Sequence, residues 1–121
     1  MEAPVIKLGK HEVKLVHPSP LMAVALLRTK EEVQVMDAGE MWALGAAALY
    51  ACWPKDVTWP VQPRPRPWTP AKKAVAYGHE IFDQLAAEYN VRALFPVLTA
   101  ALTWASLSVV TEEEVTGAEN F

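Results

Sequence analysis

The residues best suited to chemistry in this chain are His79-Glu80-Ile81-Phe82-Asp83, Cys52, and the paired acids Glu31-Glu32 and Glu112-Glu113-Glu114. The first group resembles the helical zinc-protease spacing, in which two histidines four apart bind metal beside a glutamate base. Here Asp83 stands at the place of the second histidine, and His11 and His17 are the only other histidines in the sequence. An exposed i,i+4 pair on the flank of a helix accounts for His79 and Asp83 without a metal. Cys52 lies in the apolar run Ala48-Leu49-Tyr50-Ala51-Cys52-Trp53, the setting of a buried, inert thiol rather than a nucleophile beside a base. Ser19 is placed as a helix cap, and Ser106 and Ser108 fall within an apolar helix, where hydroxyls bond backbone carbonyls. Adjacent carboxylates diverge around a helix, and no glycine-rich loop precedes one. The expectation is a protein with no catalytic residues, no metal and no cofactor: not an enzyme.

The elements that would have to position any site read as mainly α. Residues 5–16, VIKLGKHEVKLV, alternate apolar and polar positions on either side of Gly9, the pattern of a short N-terminal β-hairpin. Its strands are Val5-Ile6-Lys7-Leu8 and Glu12-Val13-Lys14-Leu15-Val16, with a three-residue loop of Gly9-Lys10-His11. Pro18-Ser19-Pro20 then ends pairing and opens a helix, with Ser19 as its cap, from Leu21 to Lys30 or Val35. Asp37 and Glu40 have capping-box spacing ahead of a second helix, Ala38 to Trp53, stopped by Pro54.

Residues 54–70 hold six of the ten prolines and two of the five tryptophans. The alternation Pro63-Arg64-Pro65-Arg66-Pro67 is extended, and makes this segment a stiff connector or a strap over the helices. Arg64, Pro67 and Pro70 also have the spacing of an SH3 ligand. Thr69 and Pro70 open a third helix to about Tyr89, with Val75, Gly78, Phe82, Leu85 and Tyr89 as its inward stripe, widened by Ile81 and Ala86. Asn90 closes it as a C-terminal cap. The fourth helix, about Arg92 to Ser108, is apolar on most faces and is expected at the centre of the bundle. Its uncharged run of eighteen, residues 93–110, sits at the lower limit for a membrane span. Pro96 and four hydroxyl residues placed on different faces (Thr99, Thr103, Ser106, Ser108) argue against one. Residues 111–121 are acidic and expected to fray.

The whole is one domain, 1–121: a hairpin (5–16), a helical body of about four helices (19–110) interrupted by the connector (54–70), and a flexible tail (111–121). A formal net charge of −3 offers no basic field for nucleic acid. One cysteine makes no internal disulfide, and the first ten residues lack the order of a secretory signal, so a cytoplasmic location is expected. Five tryptophans and ten prolines in 121 residues exceed what a minimal bundle needs. Part of the apolar surface is therefore expected to meet a partner. Trp59 and Trp68, least tied to any helix stripe, are the partner-binding candidates together with Arg64 and Arg66.

The hairpin around Leu8-Gly9, the proline-marked helix start at Pro18-Ser19-Pro20, the helical body and the acidic ending Thr111-Glu112-Glu113-Glu114-Val115 to Phe121 resemble the tail assembly chaperones of long-tailed bacteriophages. The proline-rich segment 54–70 departs from that pattern. The resemblance implies a non-enzymatic protein of the infected bacterial cytoplasm. Such a protein keeps the helices of the tape-measure protein soluble and brings tail-tube subunits to it, with self-association as a further option. A generic helical adaptor or virion structural protein is the alternative, and a small membrane-associated protein the second.

Overall fold

The computed structural model describes residues 3–19, 22, 26, 38–62 and 74–119, with residues 38, 74 and 106–119 described by their backbone. Among them are two strands, β1 (Val5–Leu8) and β2 (His11–Lys14), and three helices, α1 (Ala38–Ala51), α2 (Ala74–Glu88) and α3 (Val91–Glu119). The protein is thus mainly helical with an N-terminal hairpin. The expected first helix lies largely outside the described residues. Its cap does not: the backbone N–H of Met22 donates to Ser19 Oγ at 3.3 Å, and Met22 and Leu26 are helical.

The strands pair antiparallel, with Val5 opposite Lys14 and Leu8 opposite His11. The loop is therefore two residues, Gly9-Lys10, rather than three, and His11 belongs to β2. Gly9 has φ +59°, and Lys10 keeps a negative φ, as in a turn with glycine at its first central position. A Cβ on Gly9 would also approach Tyr89 Cε1 to 2.8 Å and push that ring aside, but the positive φ is what calls for glycine there. Ile6, Leu8, Val13 and Leu15 face inward and are buried, while Val5, Lys7, Glu12 and Lys14 face out. A lone two-stranded hairpin is marginal in water; burying four aliphatic side chains, each worth about 1.5–3 kcal/mol, is what holds this one. Its exit is pinned as well. The Val16 N–H donates to the Cys52 carbonyl at 2.9 Å, and the Val16 carbonyl accepts the Trp104 indole N–H at 3.0 Å.

The centre of the bundle is α1, not the last helix. Ala43 to Leu49 are buried on every side, because Gly45, Ala46, Ala47 and Ala48 let neighbours come close all round. A Cβ on Gly78 of α2 would overlap the Ala43 carbonyl of α1, so these two backbones are in contact. The inward face of α2 is accordingly centred on Tyr77, Gly78, Ile81 and Leu85; Val75, Phe82 and Tyr89 of the expected stripe are only partly buried. α3 runs beside α1 in the same direction, with Trp42 against Phe95 and Gly45 against Leu98. It leaves Val91, Phe95, Thr99 and Thr103 on one exposed i,i+4 stripe, so Thr99 and Thr103 share a face.

Asn90 caps the start of α3 rather than the end of α2: its Oδ1 accepts from the Arg92 N–H at 2.8 Å. Pro96 lies in the second turn, where the freed Arg92 carbonyl is on an exposed side. The helix continues to Glu119 instead of ending near Ser108. Between Ser108 and Gly117 no glycine or proline interrupts it, and adding residues to an existing helix costs far less than starting a new one.

Candidate partner-binding face

Aromatic side chains gather at both ends of α1, and only one gathering is open. At the N-terminal end Trp42 meets Phe82 of α2 at 5.6 Å between ring centroids and Phe95 of α3 at 5.5 Å. Each pair is tilted or edge-on, a favoured aromatic arrangement. Trp42 and Phe82 are partly buried, while Phe95 is 49% exposed. The neighbouring positions Met41 and Val91 are large, apolar and exposed too. Single exposed apolar side chains are ordinary. With Trp42 touching both Phe82 and Phe95, the three rings from three helices form a partly open apolar face of the kind that meets other proteins.

At the C-terminal end Trp59 packs edge-on against Tyr50 at 5.1 Å and Trp53 at 5.0 Å, and Tyr50 packs against Tyr77 at 5.8 Å. His11 of β2 stands edge-on to Trp53. The Trp53 indole donates to the Val57 carbonyl at 3.1 Å, which closes the turn after α1 under the hairpin. Trp59 is 3% exposed, and its indole N–H is buried with no hydrogen-bond partner among the described residues. A ring so enclosed presents no surface to a partner. The structure uses Trp59 as an internal anchor of the strap, and the expected contact residue is found in the core. Trp68, Arg64 and Arg66 lie outside the described residues.

Glu31 and Glu32 lie outside the described residues, and Glu112 to Glu114 are described by their backbone; the other residues considered for chemistry are dispersed. His79 and Asp83 are exposed on the outer side of α2. The His17 ring stacks on Trp104 at 4.7 Å, and the His11 ring lies against Trp53. Among the described residues no three His, Cys, Asp or Glu side chains come together as metal ligands would. Cys52 is fully buried, and burial pushes its thiol up to about 12, so it stays protonated near neutral pH. Desolvation, then the nearby Glu88 carboxylate, raises the Tyr89 hydroxyl above its ordinary range.

Sequence reasoning placed Trp42 on a helix and Phe82 on a core stripe, and passed over Phe95 inside an apolar run. The signal that could have found Phe95 is its register with Thr99 and Thr103, which marks the solvent side of α3. No described helix is long and apolar enough to cross a membrane. No family model, curated protein or solved structure matches the chain.

Proposed function

We propose that this chain is a non-enzymatic binding protein that covers apolar helices of a partner with the face built by Trp42, Phe82 and Phe95. The half-exposed ring of Phe95, held against Trp42, is the observation that carries the proposal. Helix-in-groove recognition needs apolar area and shape rather than a reactive group, and large aromatics at the centre of such a contact supply most of its energy. Taken with the resemblance of the hairpin, helix start and helical body, the reading is a tail assembly chaperone of a long-tailed phage. It would work in the cytoplasm of the infected host on the tape-measure protein and tail-tube subunits.

Co-expression with the tape-measure protein of the same gene cluster tests this. The expected result is a soluble complex recovered by affinity capture, with less aggregated tape-measure protein than when it is expressed alone. Absence of any complex with either tail protein overturns the chaperone reading. Capture of an unrelated helical protein through the same face would instead favour a generic adaptor.

A further inference from the structure

We draw no further inference here: the strongest candidate, the half-exposed face at the N-terminal end of α1 where Trp42, Phe82 and Phe95 meet, belongs to the site already described, and nothing in the structure shows which partner helix covers it.

Discussion

At the C-terminal end of α1 the rings of Tyr50, Trp53, Trp59 and Tyr77 close on one another, whereas at its N-terminal end Trp42, Phe82 and Phe95 touch and leave Phe95 half in water. The residue types are the same, and their surroundings differ. The strap from Pro54 to Val61 brings Trp59 and Val61 into the core at the first end. Among the described residues nothing comparable lies over the second. Aromatic side chains therefore have two settings in this molecule, enclosed and partly open, and a count of tryptophans mixes them. Position on the helix relative to the strap separates a ring enclosed in the fold from one left half in water.

The sharpest way to break that comparison is at Trp59. Trp59→Ala should destabilise by about 3–5 kcal/mol and lower the melting temperature by about 10 °C or more. Binding per folded molecule should be unchanged. A variant that melts like the parent but fails to capture the partner would place Trp59 at the contact after all.

Gly78→Ala acts between the two ends, where α2 meets α1. Backbone cannot move aside as a flexible side chain can, so the added Cβ should cost about 1–3 kcal/mol in urea melts. An increase in stability would mean that the helices do not approach as closely as the Ala43 carbonyl requires.

The next effect depends on pH. Burial raises the Cys52 thiol from 9.0 to about 12, so the folded chain keeps a proton that the unfolded chain releases at the lower value. That contribution is intact below about pH 9 and is lost as pH rises toward the folded value, by at most about 1.4 kcal/mol per unit. Cys52→Ala should flatten the alkaline fall of stability in chemical melts relative to the parent. Equal slopes for both proteins would show that the thiol is not desolvated. At the other extreme, His79→Ala on the open side of α2 should change stability by less than about 0.5 kcal/mol. A cost as large as that at Gly78 would mean that the phase of α2 is wrong.

Much of the fold was legible because local rules and tertiary packing agree. The alternation at Val5–Leu8, the Ser19 cap and the helix from Ala38 each follow from short-range chemistry, and each is present, although that helix ends at Ala51 rather than Trp53. What failed was the ranking of apolar helices. Arg92 to Ser108 looked central because it is apolar on most faces, yet threonines sit comfortably in water, and Thr99 can return its hydroxyl to the Phe95 carbonyl at 2.8 Å. α1 looked ordinary, yet its small residues admit neighbours on all sides. The end of α3 was misplaced for a related reason: a change from apolar to acidic residues after Val110 does not stop a helix that no glycine or proline breaks there. The candidate site was less legible, since whether Trp59 faces inward depends on how the strap folds back, a long-range matter that spacing does not encode.

The most direct test of the account is the affinity of purified Phe95→Ala for the tape-measure protein, measured beside its thermal melt. Phe95 is half exposed, so truncation should cost less than about 1 kcal/mol of stability. Binding should weaken by about thirtyfold, the equivalent of roughly 2 kcal/mol at a contact centre. Unchanged affinity with an unchanged melt, while the parent binds, would contradict the assignment of the Trp42, Phe82 and Phe95 face as the partner surface.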